Sequence, residues 1–331
     1  PGASIDSIKR AISNQVTPME ERSIPFLFTF GNHDRDYVNI MSMEQQAAYY
    51  REFSFCYAND NGADGGTYNT LIYGKDGTTP RLNIYMMDTQ HWDGSGRTSG
   101  VTQQQVDWYV NTSNSLKEMN GGKIVPSLVF QHIPVKETLK LTKVVPAGTP
   151  GAVKNKFADE YLVLDNEAEW IGDRNVMREA PASEHPERIT GQYEAWLSQG
   201  DIIGAYFGHD HVNTFVGRTQ DGIVLGYNGG FGFATYGDPG ERYARIYDFT
   251  ETDVENYTQQ TIYYTQCVIK NDTDTKPDTE PDTPATPEEP SEDCLCNCHK
   301  DGFMGFIWKI LRFFYKLFGT KQICACGAEH Y

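Results

Sequence analysis

The chain lacks a basic surface, evenly spaced cysteines and any long uncharged apolar run. Its 331 residues carry 28 Lys and Arg against 45 Asp and Glu, so no nucleic acid is expected as a binding partner through a basic face. Two of its seven cysteines, Cys56 and Cys267, stand in the first 270 residues, which excludes an evenly stapled disulfide scaffold there. The chain opens at Pro1 with no initiator Met and no signal pattern, and we expect a fragment or a processed product.

Composition divides the chain into three predicted parts. Residues 1–270 form a globular domain, since 39% hydrophobic and 13% aromatic residues allow a sizeable buried core. Residues 271–293 hold nine acidic residues and repeated Pro and Thr with no large apolar side chain, and such a segment cannot offset its ordering entropy. This segment is predicted to be a disordered acidic linker, and residues 294–331 form a small tail.

Apolar periodicity alternates between helix and strand within the predicted domain. Helices are predicted over 5–16, 40–53, 102–118 and 192–198, and buried strands over 24–30, 124–130 and 202–207. Strand-like runs flank Asp76-Gly77, which predicts a β-hairpin, and further runs occupy 222–228, 242–249 and 260–269. This order predicts an α/β (α+β) fold, either two packed sheets flanked by helices or one mixed sheet.

Side chains that can bind metal follow the predicted strands where each ends. The motifs are Gly31-Asn32-His33-Asp34, Asp88-Thr89, Gln131-His132 and Gly208-His209-Asp210-His211. Ligand sites of α/β sheets gather at this edge, and imidazole and amide oxygen suit Zn, Fe or Mn. His209 and His211 are one residue apart, so an extended backbone would turn both rings to one side. Each motif alone also fits a turn or a buried structural histidine, but all of them together at strand ends predict a metal site.

Together these motifs resemble the calcineurin-like metallophosphoesterase superfamily. The residues that carry the resemblance are GNHD at 31–34, the strand ending in Asp-Thr, QHIP at 131–134 and GHDHVN at 208–213; the stretch 222–249 is similar to the branch of small purple acid phosphatases. The resemblance implies a four-layer αββα sandwich of two mixed sheets around two metal ions, each Fe, Zn or Mn. It further implies hydrolysis of phosphoesters by a metal-activated hydroxide, in line and without a covalent intermediate.

The resemblance also assigns roles to individual residues. Asn32, His132 and His209 would bind one metal and His211 the other. His33 would act beside the leaving-group oxygen, and Asp34, the second candidate catalytic residue, would support the loop.

One departure from the family pattern is serious. The Asp-x-His and Gly-Asp motifs with which the family begins are absent before residue 31. N-terminal truncation explains this, and so does a degenerate homologue. Two alternatives to the leading hypothesis therefore stay open: a catalytically inactive surface interaction protein, and a nucleotide or nucleic-acid phosphodiesterase on the same scaffold. Residues 136–190 are an insertion that we expect to shape the pocket, whereas surface or inter-strand roles are favoured for Arg242 and Arg245.

The tail concentrates metal-binding residue types around an aromatic-rich run. The candidates for a structural zinc site or for disulfides are Cys294, Cys296, Cys298, His299, Cys324, Cys326 and His330. The run between them carries Lys309, Arg312 and Lys316 and is too short for a membrane span, which needs roughly 20 apolar residues. We interpret it as an amphipathic helix that forms the core of the tail or lies at a membrane interface. With the linker, it favours an extracellular or cell-surface protein.

Overall fold

The computed structural model describes residues 3–89, 100–156, 158–181, 191–233, 235–237, 240 and 242–265, with the backbone of 322–323 and 329–330. The chain divides into two compact units, Pro1–Ile269 and Lys270–Tyr331. In the second unit, β13 (Gln322–Ile323) pairs antiparallel with β14 (Glu329–His330). The predicted linker and the rest of the tail lie outside the described residues. Of the helices that are described, none has both the length and the apolar character to cross a membrane.

A seven-stranded mixed sheet forms the centre of the first unit, in the order β1-β2-β3-β8-β10-β9-β7. Its strands are β1 (Tyr68–Tyr73), β2 (Pro80–Met87), β3 (Ser127–Gln131), β7 (Glu169–Trp170), β8 (Ile202–Phe207), β9 (Val216–Arg218) and β10 (Val224–Tyr227). The four central strands β2, β3, β8 and β10 are parallel, and the outer three pair antiparallel. The central strands therefore end at one edge of the sheet.

Two smaller antiparallel sheets accompany it. One is a three-stranded sheet within the insertion, in the order β4 (Thr142–Val145), β6 (Tyr161–Leu164), β5 (Val153–Lys154). The other is a two-stranded ribbon of β11 (Tyr243–Thr250) and β12 (Asp253–Tyr263).

Four α-helices occur in the described residues. They are α1 (Ile5–Glu20), α2 (Met43–Tyr50), α3 (Gln103–Met119) and α4 (Gln192–Gln199), and 3₁₀ turns cover Asn32–Arg35 and Lys136–Leu141. Ser4, Ser42 and Thr102 start the first three helices, each accepting a hydrogen bond from the backbone amide three residues on. These hydroxyls satisfy amides that the helix cannot pair internally.

The two faces of the large sheet are covered by different elements. On one face, Tyr85 of β2 and Phe207 of β8 pack with Tyr109 of α3 and Trp196 of α4. The other face is covered by the ribbon, whose aromatic side chains pack against Leu128 and its neighbours. Helices α1 and α2 form a further cluster with the 24–30 segment. The predicted α/β (α+β) class is confirmed, and in the described residues the layer opposite α3 and α4 is an antiparallel ribbon.

One predicted strand is wrong and one predicted hairpin is confirmed. Segment 24–30 is extended, but it makes one isolated bridge, Phe26 to Cys56, rather than a ladder in the described part of the chain. Its apolar run reflects burial against α1 and α2 rather than strand pairing. By contrast, β1 and β2 pair antiparallel across Asp76-Gly77, where Gly77 has φ 69°.

Candidate functional site

The candidate site lies where the central parallel strands end. Gln131 of β3 is in register with Met87 of β2 and with Phe207 of β8. The residues that come next, including His132, therefore meet at one level of the sheet edge. The 3₁₀ turn after segment 24–30 brings Asn32 to the same place, because Asn32 Oδ1 lies 2.7 Å from His132 Nε2.

Asn32, His132 and His209 converge on one point, and we call them the half-site. His132 Nε2 lies 2.7 Å from Asn32 Oδ1 and 3.3 Å from His209 Nδ1. Ligand atoms bonded at 2.0–2.1 Å to a tetrahedral cation stand about 3.4 Å apart, which matches the separation between the two histidines. The 2.7 Å separation is shorter and is a hydrogen bond from His132 Nε2 to Asn32 Oδ1. Two imidazole nitrogens and an amide oxygen also form a donor set that Zn, Mn or Fe accepts. These residue types therefore match a single cation, which would have to displace the hydrogen bond between His132 and Asn32.

Two glycines hold the His132 ring in place. A Cβ on Gly208 would lie 2.9 Å from His132 Nδ1, and a Cβ on Gly31 would lie 3.1 Å from the same atom. A Cβ at Gly208 would force the His132 ring to move, and one at Gly31 would press closely against it, so glycine lets both backbones approach the ring. The amide of Gly208 also donates to the His132 carbonyl, at 3.1 Å.

The backbone at His209 differs from the extended path predicted for this motif. His209 has φ 59°, a left-handed conformation that costs a non-glycine residue energy, and the amide of Asp210 donates to the carbonyl of Gly208 at 2.7 Å. The chain therefore turns sharply at His209. As a result His209 faces His132, whereas His211 packs against Tyr236.

A network of charged side chains contacts Asp210, the residue after the turn at His209. Asp210 is fully buried, and its carboxylate accepts from Tyr227 Oη at 2.7 Å and from Lys156 Nζ at 3.4 Å. Lys156 also pairs with Glu179, at 3.2 Å. Burial and then the Lys156 charge lower the pKa of His209 to about 4. His209 is therefore neutral at physiological pH, as a metal ligand must be.

His211 lies outside the half-site. Its ring stacks on Tyr236 with centroids 4.2 Å apart, and its Nδ1 lies 3.2 Å from the Tyr236 carbonyl oxygen. Since a carbonyl only accepts, that contact favours the proton on Nδ1 and leaves the lone pair on Nε2 for a cation. No group of three or more His, Cys, Asp or Glu able to hold a metal ion occurs in the part of the chain that the structure describes.

The predicted catalytic pair has hydrogen-bond partners within its own loop. His33 is 78% exposed, and its Nδ1 lies 3.0 Å from Asp36 Oδ2. Asp34 accepts a hydrogen bond of 2.6 Å from the amide of Gly31 and so closes the loop that carries Asn32. Both side chains line a cavity of about 260 Å³ beside α1.

A buried ion pair anchors the other end of the Asn32 turn. Arg35 Nη2 donates to Asp88 Oδ2 at 2.6 Å, and the two side chains are 9% and 3% exposed. Burial raises the pKa of Asp88 to about 6, although the Arg35 guanidinium opposes that shift. Asp88, which the sequence placed at a strand end, thus fixes the turn of the half-site to the end of β2.

Sequence reasoning missed how the insertion reaches the site. Asn213 is fully buried, and its Oδ1 accepts from the amides of Arg178 and Glu179 at 3.0 and 3.3 Å while its Nδ2 donates to the Glu179 carbonyl at 3.0 Å. This clamp places Glu179, whose carboxylate accepts from Tyr236 Oη at 2.8 Å. Asn213 directly follows the GHDHV motif, and this position in the sequence could have indicated its role. Nothing in the sequence indicated that Lys156 lies near the site.

The remaining sequence candidates fall elsewhere. Arg242 is buried and donates to the carbonyls of Thr235 and Tyr236, and Arg245 donates to the carbonyls of Thr214 and Tyr227. The tail side chains Cys294, Cys296, Cys298, His299, Cys324, Cys326 and His330 lie outside the described part, which gives His330 as backbone only.

Three curated proteins of Arabidopsis thaliana are similar to this chain. They are named "Probable inactive purple acid phosphatase" 29, 14 and 28. The identities are 25%, 26% and 25%, over 74%, 75% and 74% of this chain and 60%, 59% and 59% of the relatives. The chain thus spans about 60% of the length of the curated relatives that it matches.

No family model matches the chain. The relatives are purple acid phosphatase-like proteins whose names describe them as inactive, and their identity to this chain is low. Together with the mixed α/β fold, the similarity supports a metallophosphoesterase-type domain, and the names of the relatives assign no activity to it.

Proposed function

We propose that this domain binds a divalent or ferric cation at the half-site and hydrolyses a phosphoester there. The observation that carries the proposal is the approach of Asn32 Oδ1 and His209 Nδ1 to His132 Nε2, at 2.7 and 3.3 Å, at the edge of the parallel strands. A cation held by these atoms would supply positive charge for the phosphoryl oxygens and would acidify a bound water.

Two features of the surrounding structure support cation binding at these atoms. Burial keeps His209 neutral, and two glycines and a buried ion pair fix the positions of His132 and Asn32. Preorganised donors lose little free energy to reordering when the cation enters. His211 would provide one ligand for a second cation, with its ring oriented by the Tyr236 carbonyl.

A second candidate is a phosphate-binding domain without catalysis. Two observations favour it: the relatives are named inactive, and within the described residues His211 is the single side chain assigned to the second cation. A one-cation site would bind phosphate oxygens but would lack the paired charge of a dinuclear centre. The two candidates share the half-site and differ in turnover.

Cation binding to the full chain tests the half-site. Titration of the metal-free protein with Mn²⁺ or Zn²⁺ in a calorimeter should give one tight site, and His132→Ala and His209→Ala should each weaken it at least about 10-fold. His33→Ala is the matched control, because its ring is exposed and pairs with Asp36 instead. Equal affinity in wild type and in both half-site variants would exclude the proposed site.

Turnover separates the two candidates. Phosphomonoesters, phosphodiesters and nucleotides are incubated with the loaded protein, and released phosphate or alcohol is measured. Hydrolysis that disappears in His132→Ala supports the enzyme. Cation and phosphate binding with no hydrolysis of any ester supports the non-catalytic domain.

A further inference from the structure

Exposed aromatic side chains are concentrated beside His211. Phe231, Phe233 and Tyr236 are 66%, 59% and 53% exposed, and Tyr264, which is 42% exposed, packs edge-on against Phe233 with ring centroids 4.7 Å apart. We call these four residues the aromatic shelf. Large exposed apolar groups that cluster on a surface generally mark a binding site.

The shelf is joined to the candidate site through the backbone of its own segment. The amide of Gly230 donates to the His211 carbonyl at 2.9 Å, so Phe231 leaves the chain directly beside His211. At the other end of the segment, the Tyr236 ring stacks on the His211 imidazole with an interplanar angle of 15°. Tyr236 Oη also donates to the His209 carbonyl at 3.3 Å, so the shelf begins at a residue that contacts the half-site.

Buried contacts hold this segment in place. The Arg242 guanidinium donates to the carbonyls of Thr235 and Tyr236 at 2.7 and 3.1 Å. A Cβ on Gly230 would lie 2.7 Å from Arg242 Nη1, which leaves room for glycine alone. Buried or half-buried groups therefore contact the chain on both sides of Phe231 and Phe233, at Gly230 and at Thr235–Tyr236.

We infer that the aromatic shelf binds a flat aromatic ring attached to the phosphate, so that the ligand class is an aromatic phosphomonoester. This rests on the proposed function, since the phosphate would be bound at the half-site. Four rings, rather than aliphatic side chains, offer π faces and edges to a planar group. An acyclic polyol phosphate has no ring that could stack on the shelf.

The test compares equilibrium binding of three probes to the full, cation-loaded chain: phenyl phosphate, adenosine 5′-monophosphate and glycerol 2-phosphate. Wild type should bind the better of the two aromatic esters at least about 5-fold more tightly than glycerol 2-phosphate, the value of one aromatic contact. The better aromatic ester shows whether the ring is phenolic or a nucleobase.

Two variants decide the role of the shelf. The double variant Phe231→Leu, Phe233→Leu should abolish the preference for an aromatic ester and leave the affinity for glycerol 2-phosphate unchanged. Tyr57→Leu removes a comparably exposed ring beside Phe26, at the other end of segment 24–30, and should change neither. An equal effect of both variants, or no effect of the double variant, overturns the inference.

Other outcomes keep this inference distinct from the proposed function. Aromatic preference without hydrolysis of any ester supports the shelf and removes the enzyme. Hydrolysis with no difference between aromatic and polyol esters supports the enzyme and removes the shelf. Loss of self-association in the double variant, with ester binding unchanged, overturns the inference in favour of a contact between copies of the chain.

Discussion

Replacement of Arg35 by Met should destabilise the domain by an amount that depends on pH. Arg35 and Asp88 are 9% and 3% exposed, and their nearest atoms are 2.6 Å apart. Removing one partner of a buried pair leaves the other charge desolvated and costs about 3–5 kcal/mol. At about pH 7.5 we therefore expect the free energy of unfolding to fall by about that amount.

The pH dependence follows from the pKa of Asp88. Burial raises this pKa to about 6 in the folded protein, whereas an unfolded chain has about 3.9. The folded state thus binds the proton more tightly, so this contribution to stability is fully present below about pH 4 and is lost as pH rises through about 6. Without Arg35 the pKa rises further. At about pH 5 the carboxyl is then neutral, and the variant should lose only about 1–2 kcal/mol.

Urea unfolding followed by tryptophan fluorescence measures both losses. The set comprises wild type, Arg35→Met, Asp88→Asn and the double variant, each at about pH 5 and pH 7.5. In the Asp88→Asn background no carboxylate remains to be charged, so Arg35→Met should have the same effect at both pH values. When Asp88 is present, Arg35→Met should cost more at about pH 7.5 than at about pH 5. Equal losses of unfolding free energy at the two pH values in that protein would refute the reasoning.

Three further substitutions test close packing at two glycines and the buried hydrogen bonds of Asn213. Gly208→Ala places a Cβ 2.9 Å from His132 Nδ1, and calorimetric titration with Mn²⁺ should show at least about 10-fold weaker binding; unchanged affinity would show that the ring position is not needed. Gly204→Ala places a Cβ 2.5 Å from the Tyr257 hydroxyl and should reduce the unfolding free energy by about 1–3 kcal/mol. Adding Tyr257→Phe to this variant removes the hydroxyl and should restore a part of that loss in the urea assay. Asn213→Ala removes three hydrogen bonds to the insertion backbone, and hydrogen exchange there should be faster; unchanged protection contradicts the clamp.

Local pattern was enough for most elements of the first unit. The predicted strand over 202–207 coincides with β8, and the predicted helix over 102–118 with α3 to within a residue. These elements are encoded locally, through apolar periodicity, capping hydroxyls and turn glycines. Segment 24–30 shows the limit of such reasoning, because an apolar run records burial and does not reveal whether a strand partner is present.

The sequence by itself predicted that His132 and His209 follow strands that end at one edge, whereas the place of Asn32 came from the family resemblance. Residues that follow neighbouring parallel strands share an edge, and this rule brings His132 and His209 together. Only the tertiary structure decided the rest: the left-handed turn at His209, and the approach of Lys156 and Tyr236 from distant parts of the chain. The physical reason is that these contacts depend on the path of the insertion and of the loop after β10, which long-range packing sets and no local periodicity records.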